Sequence, residues 1–294
     1  QNKQTLKEFK MAVTGNTELG ATKQDVVSAL VSRLLIPKVN LLPTVTDVSV
    51  FAKRGMKSVS FPKAGKFTAA LRPSATAGTP QTAAFATDKL DLDKPAYISF
   101  IVDDNDAYQS SVDVKSAYIE RSVEGHAEFV DQQILSILDT ASGYQQAAGI
   151  DQTKILNARK WLLKNKARLN DLTMLVNCDD ESLLLAIPEF VRADAYGASN
   201  IPSGVIGKVY GINVKLHQDE TITKSFIYSK EAIAFALQKG AAYGEDTDID
   251  YGVGTLKVAI DQLFGLKAMR LTEGLDFAGA PLAAGKSPFI AEIG

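Results

Sequence analysis

VDVKSAYIERSVEGHAEFVDQQILSIL, residues 112–138, sets Ile119, Val123, Ala127, Val130, Ile134 and Leu138 at spacings of four, four, three, four and four. That recurrence is one face of an α-helix. The pattern runs over residues 106–139, longer than the usual globular helix. The same stretch holds Glu120, Glu124, His126, Glu128 and Asp131, the residue types of a metal or acid–base site. Helical geometry separates them. At about 100° per residue, Glu120, Glu124, Glu128 and Asp131 share one face. His126 is two residues from both Glu124 and Glu128, so it points almost opposite, beside Val123 and Val130. The stretch reads as an acidic helix face and a packed histidine. Like charges four apart repel by a few tenths of a kcal/mol per pair, so the face is either plainly solvated or meets a basic surface. Gly125 in the helix interior predicts a bend or a close approach, because glycine there costs about 0.5–1 kcal/mol relative to alanine.

A basic surface lies just upstream. From Phe51 to Thr87 the chain carries Lys53, Arg54, Lys57, Lys63, Lys66 and Arg72 and no Asp or Glu. Val59 and Phe61 alternate with Ser58 and Ser60, a breaker-rich tip follows, and AYISFIV resumes as a strand. The expectation is a long hairpin, outward near 57–62 and returning near 90–102. It has too few large apolar side chains for a core of its own, and an isolated ribbon is marginal in water. It is expected to lie on a partner subunit.

The whole chain sets wider bounds. It has 294 residues, 46% hydrophobic and 22% charged, a net charge of −2 and a pI near 5.8. That balance argues against a protein whose main task is wrapping nucleic acid. A single cysteine, Cys178, excludes an internal disulfide and a Cys-based zinc site. The longest apolar runs fall far short of the roughly 20 residues of a membrane span, and QNKQTLKEFK lacks a signal-peptide apolar region. The first residue is Gln rather than Met, so an upstream segment is expected either to have been removed or to lie beyond this sequence.

Residues 1–50 read as an arm with one helix, TKQDVVSALVSRLL, in which Val26, Val27, Leu30 and Leu34 recur and Pro37 stops the pattern. LLPTVTDVSVF reads as extended. Residues 140–270 read as α+β. TKILNARKWLLKNKA is helical, with Ile155, Leu156, Trp161 and Leu162 on its apolar side. LTMLVNC is a buried strand, and DDESLLLAIPEF begins a helix with acids where the N-terminal dipole favours them. GKVYGINVKLHQ is a strand with a glycine bend. SKEAIAFALQK is a helix capped by Ser229, with Ile233, Ala234 and Leu237 inside. LKVAIDQLFGLKAMRLTEG is two strands.

Catalytic candidates are scarce. Asp246, Asp248 and Asp250 alternate as in a calcium loop, but Tyr251 stands where glycine is needed and Lys257 where the bidentate Glu belongs. That stretch reads as an acidic turn. His217 alternates away from Val214 and Leu216 and is expected to be exposed. Cys178 reads as an inert thiol in a buried strand. No phosphate-binding glycine pattern follows a strand. Two histidines and one cysteine leave few ways to build a nucleophile–histidine site. The expectation is no enzyme, no cofactor and no metal.

The order of these parts resembles the tailed-bacteriophage major capsid protein with the Hong Kong 97-type fold. VDVKSAYIERSVEGHAEFVDQQIL is similar to that family's spine helix. LTMLVNCDDESLLLAIPEF and GKVYGINVKLHQ are similar to its central strand, helix and strand. SKEAIAFALQK, an acidic loop and LFGLKAMR are similar to its return to the peripheral domain. The resemblance spans nearly the whole chain and is one of pattern and order. It implies an α+β fold with an N-terminal arm (1–50), an E-loop hairpin (51–102), a peripheral domain with the spine helix (103–145), an axial domain (146–254) and a return to the peripheral domain (255–294). It implies a structural coat protein that tiles as hexamers and pentamers into an icosahedral shell around double-stranded DNA, without sequence-specific binding and without a membrane. Scaffolding, portal and decoration proteins are the implied partners, the virion capsid the implied location, and the host bacterial cytoplasm the place of assembly. In the family layout the E-loop lies across a neighbour near its spine helix. Lys53, Arg54, Lys57, Lys63, Lys66 and Arg72 would then face Glu120, Glu124, Glu128 and Asp131 between subunits. Some members crosslink through an E-loop lysine; Lys63 and Lys66 stand in that segment, and nothing in the sequence selects a partner for them. An encapsulin-like compartment that encloses enzymes, and a soluble enzyme with an unrecognised site, are the rival readings.

Overall fold

The computed structural model describes residues 31, 40–64, 69, 71, 78, 80, 82, 85–109, 114–147, 149–187, 205–217, 222–247, 254–269, 276, 278 and 280–294. In chain order the strands are β1 (Thr46–Asp47), β2 (Ser58–Ala64), β3 (Phe85–Asp91), β4 (Lys94–Val102), β5 (Ser142–Tyr144), β6 (Leu172–Asn177), β7 (Val205–Val209), β8 (Ile212–His217), β9 (Phe226–Ser229), β10 (Ile233–Thr247), β11 (Leu256–Ala268) and β12 (Ser287–Glu292). The helices are α1 (Asp104–Gln109), α2 (Val114–Ala141), α3 (Gln152–Lys164) and α4 (Cys178–Leu185). The predicted helix at 22–35 lies outside the described residues apart from Val31, which is buried. LLPTVTDVSVF is not extended throughout: two 3-10 turns, Leu42–Thr44 and Ser49–Phe51, flank β1, and Pro43 sits in the first of them, where its missing N–H costs nothing.

Two sheets organise the chain. The first has six strands in the order β5-β12-β9-β6-β8-β7. Strands covered on both faces read as continuous apolar runs, and all six residues of β6 are buried. β6 runs parallel to β8, and β7 turns back onto β8 through Tyr210 and Gly211 at φ 49° and 82°. Two consecutive positive φ values make a tight hairpin turn, so GKVYGINVKLHQ is two strands, not one bent strand. α3 covers this sheet with Ile155, Ala158, Trp161 and Leu162 buried, and Trp161 stacks on Tyr144 at 5.4 Å between ring centroids. Leu156, expected inside, is 38% exposed because it lies about 100° round the helix from Ile155. Asn177 caps α4 by accepting from the Cys178 N–H at 2.7 Å, and Asp179, Asp180 and Glu181 occupy its first turn as expected. Cys178 is therefore the exposed first residue of a helix, not part of the buried strand.

The second sheet has four strands in the order β1-β10-β11-β4. Here SKEAIAFALQK departs from the expected helix. Ile233–Leu237 pair in register with Phe264–Ala268 of β11, and the Val48 N–H donates to the Phe235 carbonyl on the other side. Ile233, Ala234, Phe235 and Ala236 are all buried. A run covered on both faces suits a central strand, whereas a helix would turn part of it to solvent. Ser229 ends β9 and makes no side-chain cap. β11 is one strand through Gly265, not two; a Cβ there would run into the Asp91 carbonyl oxygen.

The hairpin is shorter than expected. β2 and β3 pair from Ser58↔Asp91 to Ala64↔Phe85, and the chain then leaves the ribbon so that β4 can join β11. The ribbon's root is fastened to its own chain: Ala52, Val59, Leu90 and Leu92 pack on Ala234 and Ala236 of β10.

The expected helix of 106–139 is two helices, α1 and the 28-residue α2, about 42 Å long. All six stripe residues of α2 are buried. The helix braces both sheets. Lys115 Nζ lies 2.6 Å from Glu245 Oε2 of β10, Tyr118 meets Phe100 edge-on at 5.6 Å, and Phe129 meets Phe264 at 6.2 Å. Lys94 Nζ donates to Gln133 Oε1 at 2.6 Å. At the far end Lys224, just before β9, reaches Asp139 at 2.7 Å, and Lys286, just before β12, donates to the Thr140 carbonyl at 3.1 Å. Gly125 marks a close approach: a Cβ there would sit 3.3 Å from Ile98 Cδ1 of β4. No described helix is long and apolar enough to cross a membrane.

Candidate subunit interface

The carboxylates of α2 do not share one environment. Glu120 and Glu128 are exposed. Glu124 is half-buried and takes a 2.8 Å contact from Arg121 three residues back, a surface pair of the kind that contributes little. Asp131 turns inward. Its carboxylate accepts from the Asn40 N–H at 3.1 Å and the Leu41 N–H at 3.0 Å, while Lys215 Nζ donates to the Asn40 carbonyl at 2.9 Å. The segment entering the 3-10 turn at Leu42 is thus held by one acid and one base. Burial pushes Asp131 up to about 6, outweighing the two backbone donors and Lys215. Burial also lowers Lys215, against the pull of Asp131. Three carboxylates of the original four remain turned outward. Nothing in the sequence pointed to the Asp131 contact, because its partners are backbone groups about ninety residues away.

His126 is 1% exposed, packed as its helical position predicts. Burial lowers its pKa, and the Ile260 backbone and Asp261 pull the other way. His217, expected exposed, is buried: β8 lies inside the sheet, and its Nε2 is 2.9 Å from the Lys224 carbonyl oxygen. Among the described residues no group of three or more His, Cys, Asp or Glu is placed to hold a metal. Asp246 is exposed opposite Lys257 in the β10–β11 register, and Asp248 and Asp250 lie outside the described residues.

The cations gather at the ribbon's root. Lys53, Arg54 and Lys57 are exposed. Lys63 stands in β2 opposite Ala86; its side chain, Lys66 and Arg72 lie outside the described residues. The root loop is pinned. Gln238 Nε2 donates to the Lys53 carbonyl at 2.9 Å and to the Met56 carbonyl at 2.6 Å, and the Leu237 N–H donates to Ser49 Oγ at 2.9 Å. Gly55, at φ 90°, closes the turn between them. On this fixed backbone Val50 is 83% exposed, Phe51 59% and Met56 43%. Sequence reasoning missed this patch; its signal was apolar residues interleaved with cations outside any alternation.

The sheet sets these surfaces apart. The ribbon root packs on Ala234 and Ala236 of β10, and α2 packs on the other face of the same sheet, where Phe129 meets Phe264 beside Phe235. One chain therefore presents the cations of the root and the acids of α2 from opposite faces of the sheet.

The family model described as "Phage capsid protein" matches residues 48–256. No curated protein sequence matches. Among solved structures, one from Mycobacterium phage Che8 is 16% identical with a TM-score of 0.62, covering 85% of this chain and 88% of that one. The capsid structure of Cyanophage P-SCSP1u is 13% identical with a TM-score of 0.61, covering 85% of each chain. The capsid of a native GTA particle is 10% identical with a TM-score of 0.60, covering 87% of this chain and 89% of that one. At such identities the likeness establishes the fold, an α+β capsid fold of the Hong Kong 97 type. The chain belongs to the phage capsid protein family and is a structural protein of the virion shell, not an enzyme.

Proposed function

We propose that this chain tiles as hexamers and pentamers into a closed icosahedral shell around double-stranded DNA. The observation that carries the reading is membership of the phage capsid protein family, joined by the cations of the ribbon root and the acids of α2 on opposite faces of one sheet, a layout suited to head-to-tail contact. Heterologous contacts of this kind close into rings when the rotation permits. The interface comprises Lys53, Arg54 and Lys57, with Lys63, Lys66 and Arg72 further along the hairpin, against Glu120, Glu124 and Glu128 of the next subunit; Asp131, bonded to its own chain, stands behind that face. The five-part division into arm (1–50), E-loop (51–102), peripheral domain (103–145 and 255–294) and axial domain (146–254) goes with it. Scaffolding, portal and decoration proteins are the further partners, and assembly takes place in the host bacterial cytoplasm. A net charge of −2 suits a lumen along which packed DNA slides rather than sticks. The test is the content of purified particles. Nuclease-protected double-stranded DNA supports the reading; folded protein cargo in its place would overturn it in favour of an enzyme-enclosing compartment.

A further inference from the structure

We propose that His126 is an acid-sensitive catch under α2: neutral, it lets the helix lie on the four-stranded sheet, and protonated, it shifts the helix along β11 towards the Gln262 amide. The proposal stands on the fold of one chain and does not need the shell reading.

Phe264 of β11 meets Phe129 of α2, and side chains alternate along a strand, so Val258, Ile260, Gln262 and Phe264 share the face turned to the helix. All four are buried, and Gln262 is the one polar side chain among them. Ile98, the partner of Ile260 on β4, lies under Gly125, which places the neighbouring His126 close to Ile260. Neither ring nitrogen of His126 has a hydrogen-bond partner, and neither does Gln262 Oε1, two residues on from Ile260. Interiors leave few such groups, and each calls for a reason. Two strand residues span about 7 Å, a gap that the length of the Gln262 side chain shortens. α2 runs the same way as β11, with Tyr118 on Phe100, the partner of Val258, and Phe129 on Phe264. A slide of α2 towards its C-terminal end therefore carries an imidazolium N–H to the waiting amide oxygen.

The charged groups around the ring are already engaged. Asp261 of β11 pairs with Lys239, Lys94 of β4 with Gln133, and Glu245 of β10 with Lys115 and Tyr243. On α2 itself Arg121 pairs with Glu124, Glu128 is exposed, and Asp131 holds the Asn40 and Leu41 amides. Burial keeps the imidazole below its ordinary 6.5 against the pull of the Ile260 backbone and Asp261. The seat is thus intact above pH 6.5 and is lost as pH falls below it, the opposite sign to Asp131. Because α2 joins the two sheets through Asp139 and Thr140, a sliding helix alters the angle between them.

The test uses the unassembled full chain. The His126 ring, followed by NMR, should titrate below 6.5. Over the same pH range the amides of residues 122–130 should lose at least about tenfold in hydrogen-exchange protection, corrected for intrinsic rate, and His126→Phe should hold that protection within about twofold. Gln262→Met removes the acceptor and should lower the titration midpoint further. A ring that titrates at or above 6.5, or that titrates while α2 keeps its protection, would overturn the catch. Equal acid loss in His126→Phe would do the same, and if that variant does not fold, the wild-type titration and exchange decide alone. An unchanged midpoint in Gln262→Met would overturn Gln262 as the receiving group.

Discussion

Gly125 separates two opposing effects on the long helix. Glycine costs a helix interior about 0.8–1 kcal/mol relative to alanine. Against that, a Cβ at this position would lie 3.3 Å from Ile98 Cδ1, closer than ordinary contact. That atom ends a flexible side chain, so a displacement of a few tenths of an ångström accommodates it, at about 0.5 kcal/mol for an off-rotamer torsion. Gly125→Ala is therefore expected to be neutral or to stabilise by up to about 0.5 kcal/mol. Gly125→Leu adds three further carbons between α2 and β4, and overpacking costs about 1–3 kcal/mol. The structure relieves such a clash by lifting α2 from the sheet. Because α2 also holds the six-stranded sheet through Asp139 and Thr140, a lifted helix changes the angle between the two sheets, and irregular particles should follow. Urea unfolding of the unassembled subunit measures the first effect and electron microscopy the second. A loss above about 1 kcal/mol for alanine would refute the yielding of Ile98, and wild-type stability for leucine would refute the close approach.

Asp131 titrates against intuition. Its carboxyl is raised from 3.8 to about 6 by burial, so its contribution to stability is full below pH 4 and is lost as pH rises through about 6. Urea unfolding should show wild type losing at most about 3 kcal/mol relative to Asp131→Asn between pH 4 and 7; a flat or opposite trend would sink this account. Glu124→Lys with Glu128→Lys should block or misdirect assembly and leave the subunit folded, and adding Lys57→Glu with Lys63→Glu should partly restore it. Salt should weaken the wild-type contact, as the Debye length falls from about 10 Å at 0.1 M to about 3 Å at 1 M. Normal particles from the helix double variant would leave the acids as a solvated face. Limited proteolysis should cut residues 60–88 first in unassembled subunits and spare them in particles; equal resistance in both would show that the ribbon needs no neighbour.

What the sequence made legible was whatever local patterning decides. The 3.6-residue stripe of α2 is buried at every position, β6 reads as a fully covered strand, and the acidic first turn of α4 follows directly from DDES. Where distant partners decide, the reading failed. Ile233–Leu237 carries helix-forming alanines, yet pairing with Phe264–Ala268 makes it a central strand. His217 alternates as if exposed, but β6 and β7 flank its strand. Asp131 shares the spacing of the other acids and differs only because the chain from Asn40 passes over it. Phe51 sits in a stretch read only as extended, and its exposure follows from the Gln238 clamp on a loop nearly two hundred residues away in sequence.

Electron microscopy of the purified wild-type protein bears most directly on the central claim. Closed icosahedral particles whose surface resolves into six- and five-membered clusters are the expected result. A uniform population of small oligomers, under conditions in which the subunit is folded and concentrated, would contradict it.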